Sequence, residues 1–238
     1  KLEDPFISYH TLISSENDDL TRVVVGFAEM TSLRPWSDML LAAHLNPVHI
    51  DLEPVALANF LYASLSREEK RQSQAILYIT QNRIEVIAFQ YNKFHTVKLE
   101  ISEFDHVLLT EVEDIEDPTG EFWDEVGART GNTLKQAILF LQEEQDFPPF
   151  SVIHVAVDAL RARNLMTLLD RGFTLAPITL WDPTERAQLS QPVSQLLSKV
   201  GNVSGFGSAF GLGLRRLGTF GEADRGLIQL SMLPNADT

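Results

Sequence analysis

Two short apolar runs, AILYIT at 75–80 and RIEVIAFQ at 83–90, are separated only by Gln81 and Asn82. Runs of this length and composition read as strands, and a two-residue gap admits only a tight hairpin turn. A further strand is predicted at 94–101 (FHTVKLEI), and a buried one at 151–157 (SVIHVAV) lies beyond a long helical stretch. Hairpin-linked strands followed by a strand reached through a helix predict a mixed sheet covered by helices, the α/β class.

The flanks extend this pattern. Residues 6–14 and 22–30 read as two strands, the second rich in β-branched Val23, Val24 and Val25, with a polar, acidic loop at 15–21. Leu33, Trp36, Leu40 and Ala43 recur at helical spacing to residue 45, with Thr31 or Ser32 as N-cap and Pro35 in the first turn. A short strand is predicted at 48–52, and Glu53-Pro54 opens a helix that turns Val55, Leu57, Phe60 and Leu61 inward. The polar stretch 63–74 reads as a helix end plus a linker.

Downstream, 121–144 reads as one long helix with Phe122, Val126, Ile138, Leu139 and Leu141 inward, weakened in its middle by Gly127 and Gly131. A helix over 158–170 is expected to end on Arg171-Gly172 as a C-cap, before a strand at 173–180. Helical segments are predicted at 186–200 and 208–217, and an extended tail at 227–234. No internal repeat of fixed period is present.

Several chemistries are excluded by residue type or spacing. The chain has no cysteine, which removes disulfides, thiolate metal sites and cysteine nucleophiles. Its formal net charge of -14 disfavours nucleic acid and anionic membrane surfaces. None of the six histidines falls in a compact ligand pattern. The acidic stretch 111–125 lacks the alternating Asp/Asn positions and closing Glu of a calcium loop and reads as solvated. GFGSAFG at 205–211 misses the nucleophile elbow, because Phe206 stands two before Ser208; it misses the dinucleotide fingerprint because its third glycine, Gly211, comes one position late. No Walker A lysine motif and no apolar run of membrane-spanning length occur. The chain begins with Lys1, so we expect a fragment or processed piece.

Three segments together resemble one family. In VVVGFAEMTSLRPWSDMLLAAHLNPVHIDLEPVALANFL (23–61), the residues Ala42, Ala43, Leu45, Val48, Ile50, Asp51, Glu53, Pro54, Ala56 and Leu57 match a phrase of the PilM-like type IV pilus assembly proteins. The stretch 151–183 resembles the family's strand, turn, helix and strand reaching an Asp-Pro, and SAFGLGLRRLG (208–218) is similar to its closing helix through Ala209, Gly211, Leu212, Leu214 and Arg215.

The resemblance implies an actin-like, ribonuclease H-like α/β fold, with residues 1–64 ending a partial first lobe and 65–238 forming a complete second lobe. It also locates the family's nucleotide contacts. Tyr78 stands where the family's second phosphate loop has its acid, and Thr80 where that loop has a glycine; Ala156-Val157 replaces a Gly-Gly turn. A Cβ at Thr80 hinders backbone approach to phosphate, and Val157 fills the space of the turn. The expected cofactor is therefore none, with ATP and magnesium bound only if upstream residues compensate.

By the same resemblance the expected partners are a PilN-like bitopic inner-membrane protein and the pilus assembly motor, at the cytoplasmic face of the inner membrane, with self-association allowed. Trp36, Leu40, His44 and Leu57 are the expected partner-binding residues. The expected function is a non-catalytic assembly scaffold. The alternatives are a working actin-like ATPase of pilus assembly and the cytoplasmic domain of a type II secretion L-type component.

Overall fold

A computed structural model describes residues 5–12, 21–47, 49–80, 83–90, 93–110, 120–157, 162–185, 190–197, 199 and 206–217. The expected turn at 81–82, the acidic stretch 111–119 and the tail at 227–234 lie outside these residues, as does the start of the helix expected at 158.

Five strands form the central sheet: β3 (Gln74–Ile79), β4 (Ile84–Gln90), β5 (Lys93–Lys98), β6 (Ile153–Val157) and β7 (Ile178–Leu180). Their order is β5-β4-β3-β6-β7. The pairs β3–β4 and β4–β5 are antiparallel, whereas β3–β6 and β6–β7 are parallel, so β4 alone opposes the common direction. Both faces of the central strands are buried, which is why β3 is buried at every residue and its sequence shows no polar alternation.

The two faces carry different helix pairs. Ala75, Leu77, Ile79, Val86 and Ala88 face α4 (Glu121–Glu143) and α5 (Ala162–Gly172) through Val126, Leu134, Ile138, Leu141, Leu168 and Leu169. Ile76, Tyr78, Ile87 and Phe89 point the other way, onto α2 (Glu53–Ser64) and α7 (Gly207–Leu217), through Leu57, Phe60, Leu61, Phe210 and Leu214. Residues 53–64, grouped by the sequence reading with the first lobe, thus share a core with this sheet.

Glycines set the spacing of both pairs. A Cβ on Gly131 would stand 2.2 Å from the carbonyl of Gly172, and one on Gly172 would stand 1.8 Å from Gly127 O. On the other face, a Cβ on Gly211 would stand 1.9 Å from Ala56 O. Gly127 and Gly131 are therefore contact residues of α4, not weak points in it. Gly172 is the last residue of α5, placed for close backbone approach and without the positive φ of a C-cap.

Upstream lies a smaller unit. Strands β1 (Pro5–Thr11) and β2 (Val23–Glu29) form an antiparallel hairpin, followed directly by α1 (Met30–Ala42). Leu12 and Val55, with Val24, Leu52 and Phe94 against them, tie the base of this hairpin to α2 and β5. The helix α1 closes with a Schellman arrangement: His44 N–H donates to Leu41 O and Leu45 N–H to Leu40 O, with His44 at φ 59. The strand expected at 48–52 is absent from 49–52. There Asp51 Oδ1 accepts from Leu52 N–H, which leads the chain straight into α2.

Three further differences have clear causes. Helix α3 (Glu103–Thr110) was not foreseen, although Ser102 Oγ accepts from Asp105 N–H as an N-cap, a pattern legible as Ser-x-x-Asp. Phe122, expected inward, is exposed, because the buried stripe of α4 begins at Val126. The last strand is cut to Ile178–Leu180, since Phe173 is drawn into the core and Pro177 has no N–H for a ladder. Residues 191–197 of the helix expected at 186–200 form α6 (Gln191–Leu197).

Helices α3 and α4 are pinned by a bidentate pair. Arg129 Nε donates to Asp105 Oδ2 (2.9 Å) and Nη2 to Oδ1 (2.7 Å), and the Asp105 side chain is buried. The hydrogen bonds from Arg129 hold the Asp105 carboxyl below its ordinary range against the opposing effect of burial. Arg129→Ala is expected to destabilise the protein at neutral pH, because it leaves the buried Asp105 carboxylate without its charged donors. Because the folded-state value is depressed, this stabilisation is complete above the unfolded value near pH 4 and fades as pH falls through the lower folded one. Urea denaturation of wild type and variant should therefore show a stability gap at pH 6 that narrows below about pH 4; a gap constant to pH 3 would contradict the pairing.

Candidate functional site

The chain reverses its direction of sheet growth at β3. From β3 it builds outward through β4 and β5 on one side, then crosses to add β6 and β7 on the other. In open α/β sheets the crevice at the carboxyl ends of the strands flanking such a switch point is where ligands bind. Here that place is the end of the parallel pair β3 and β6, where Tyr78 pairs with Ala156 and Ile79 with Val157.

All four residues singled out by the sequence reading sit there. Tyr78, Ala156 and Val157 are buried, and Thr80, the residue after β3, is half-buried. They do not line one cavity together. Tyr78 and Ala156 belong to the α2/α7 face, while Val157 belongs to the α4/α5 core. The twofold period of the strands divides them.

Side chains occupy the Tyr78 side of this crevice. The Tyr78 hydroxyl donates to Glu53 Oε1 (2.5 Å), and Arg83 Nη2 donates to Glu53 Oε2 (2.7 Å). Arg83 Nε lies 3.1 Å from Glu85 Oε1, and Glu85 is the direct cross-strand neighbour of Tyr78. Thr80 closes the hairpin: its N–H donates to Arg83 O (2.9 Å), and its hydroxyl oxygen accepts from Arg83 N–H (3.1 Å).

Glu53 and Arg83 are the residues that sequence reasoning missed. Glu53 is the first residue of α2, where the helix's positive end favours a carboxylate, and its two oxygens are held by Tyr78 and Arg83. Burial pushes the Glu85 carboxyl up, Arg83 opposes this, and Glu53 adds to it. One guanidinium thus faces two carboxylates, a balance that repels a triphosphate. The sequence signal for Glu53 was its place before Pro54 at a helix start; nothing local signalled that Tyr78, twenty-five residues on, would reach it.

The expected partner-binding residues divide differently. Trp36 is 65% exposed, His44 is exposed, and Leu40 is half-buried, all on α1 or its cap. Leu57 is fully buried under the sheet against Gly207 and is withdrawn from any surface. Its apolar neighbours Val55–Ala58 are buried as well, because α2 is covered on all sides.

A surface the sequence did not single out adjoins α1. The centre of one face of the β1–β2 hairpin is apolar and exposed, with Ile7 opposite Phe27 and Tyr9 opposite Val25. Phe27 is 61% and Tyr9 70% exposed. Contiguous apolar surface of this kind marks interaction sites in soluble proteins. Alternation in the two strands was the available signal, but which face would be covered was not.

Among the described residues no group of acidic or histidine side chains is arranged to hold a metal ion, and no helix is long and apolar enough to cross a membrane.

No protein-family model and no curated protein matches the chain. Among solved structures, one described as a PilM-PilN type IV pilus biogenesis complex matches with a TM-score of 0.58 and 19% identity, over 89% of this chain and 66% of the matched one. The chain therefore spans just under two thirds of that protein's length. The likeness shows a PilM-like α/β fold.

Proposed function

We propose that this chain is an assembly scaffold of a type IV pilus or related secretion machine, acting by presenting surfaces to inner-membrane proteins and not by hydrolysing ATP. In this reading the fold is actin-like, a partial first lobe followed by a complete second lobe. The packing of α2 on the five-stranded sheet favours a lobe boundary before Glu53 over one after Ser64.

The observation that carries the reading is the closure of the switch-point crevice by Glu53, Tyr78 and Arg83. A phosphate binder keeps backbone N–H groups and a helix N-terminus open to its anion. This chain instead has a carboxylate at the first residue of α2, held by Tyr78 and Arg83. The surface this reading assigns to the partner is the exposed hairpin face with Trp36 in the same small unit. The matched structure is described as a complex with PilN, which supports a PilN-like bitopic protein as the partner at the cytoplasmic face of the inner membrane.

Calorimetry with Mg-ATP is expected to show no saturable heat up to millimolar nucleotide. Binding at micromolar concentration would overturn the non-catalytic reading and revive the ATPase. A labelled peptide of the partner's cytoplasmic tail is expected to bind, and Phe27→Ser with Trp36→Ala to weaken it by about tenfold or more, as loss of aromatic anchors does. No binding of that tail by the intact chain would remove the pilus partner from the account.

A further inference from the structure

A second exposed apolar surface lies on the far side of the molecule's sequence, where α3 meets α4. Phe104 of α3 is 59% exposed and Phe122 of α4 is 46% exposed. Their rings meet edge to face at a centroid distance of 6.3 Å, and Phe122 packs on Trp123 at 4.9 Å. Val107, one turn along α3, adds to the patch, while Trp123 is half-buried against the core and anchors it. The Asp105–Arg129 pair fixes the two helices against each other, so the aromatic face is rigid and pre-formed.

Its electrostatic setting is one-sided. Among the described residues of 100–125, Glu100, Glu103, Asp105, Glu121, Asp124 and Glu125 are acidic and none is lysine or arginine. Of these, Glu100 pairs with Lys98, and Asp105, Asp124 and Glu125 with Arg129 or Arg171, whereas Glu103 and Glu121, next in sequence to Phe104 and Phe122, are exposed.

We propose that the Phe104–Val107–Phe122 face, rimmed by Glu103 and Glu121, docks a basic amphipathic helix of a partner protein. The charge selects the occupant. Nucleic acid and anionic lipid are repelled, and a second copy of this chain would set two acidic rims against each other. A helix with Leu or Phe at i and i+4 and Lys or Arg beside them matches both the rings and the carboxylates. A strand is disfavoured, because α3 and α4 present no open sheet edge. This surface is distinct from the hairpin and α1, and the proposal stands whether or not the pilus reading does.

The test uses the whole chain and a fluorescent 18-residue Leu/Lys amphipathic peptide, followed by anisotropy. Saturable binding is expected at low salt, weakened about tenfold by Phe104→Ser with Phe122→Ser, and about fivefold or more by 0.5 M NaCl. Ile7→Ser with Phe27→Ser should leave it unchanged, and a Leu/Glu peptide should not bind. Both phenylalanines are exposed, so the fold should survive their replacement; circular dichroism checks this, and Glu103→Lys with Glu121→Lys serves as the second variant, expected to abolish binding. Absence of saturable binding overturns the proposal. So does binding that survives both double variants, which would reduce it to general attraction to an acidic protein. Concentration-dependent dimerisation lost in the Phe104→Ser, Phe122→Ser variant would assign the face to self-association instead.

Discussion

Gly131→Ala is expected to destabilise the protein by about 3 kcal/mol or more, the upper range for overpacking a close contact. The sign is opposite to what helix propensity predicts. Alanine inside a helix is worth about 1 kcal/mol more than glycine, so an exposed position would gain. At Gly131 the added methyl would lie 2.2 Å from the carbonyl carbon and oxygen of Gly172. Those are backbone atoms and cannot rotate aside as a side-chain tip would. Either α5 moves off α4, opening the packing of Leu168 and Leu169 on the sheet, or the contact stays strained. Gly172→Ala should behave alike, because its methyl would lie 1.8 Å from Gly127 O. Gly213→Ala in α7 is the control: nothing lies within 4 Å of its Cβ, so it should be neutral or slightly stabilising. Urea unfolding midpoints of the three variants decide the matter. If Gly131→Ala is as stable as wild type, the close crossing of α4 and α5 is wrong.

Trp181→Ala is expected to cost about 3–5 kcal/mol, as removal of a buried aromatic does. Trp181 packs on Phe60 at a centroid distance of 5.6 Å, and Phe60 stacks on Phe210 at 5.2 Å. The three rings join the end of the sheet to α2 and α7, and Trp181 N–H donates to Val155 O beside them. Trp36→Ala, removing a ring that is mostly exposed, should change stability by no more than about 0.5 kcal/mol. Its effect is expected on partner binding alone. The two tryptophans thus separate structure from surface, and a large stability loss at Trp36 would mean that the small N-terminal unit is packed differently.

The closure of the switch-point crevice bears on how such a fold keeps or loses chemistry. Tyr78 and Thr80 alone would only crowd the place. Glu53, the first residue of α2, pairs with Arg83 and accepts from Tyr78 at once. Glu53 is the hub: replacing Tyr78 or Arg83 leaves it the other partner, whereas replacing Glu53 removes the acceptor that joins the two.

Most elements of the central sheet were legible in the sequence, because strands buried on both faces are continuous apolar runs and their ends carry polar or proline residues. The apolar stripe of α4 from Val126 to Leu141 was legible for the same reason, as was the start of α2 at Glu53-Pro54. The resemblance located Tyr78, Thr80, Ala156 and Val157 at one end of the sheet without indicating that they face opposite sides of it.

What the sequence by itself determined was periodicity, charge and the residue types that rule chemistries out. Only the tertiary structure decided which apolar residues were covered: Leu57 is buried and Tyr9 exposed, though each fits its local pattern. It also decided that glycines which read locally as helix weakness are contacts between backbones, and that Glu53 and Tyr78 are partners. The reason is that periodicity is written in neighbours along the chain, whereas burial and pairing depend on elements that arrive from far away in it.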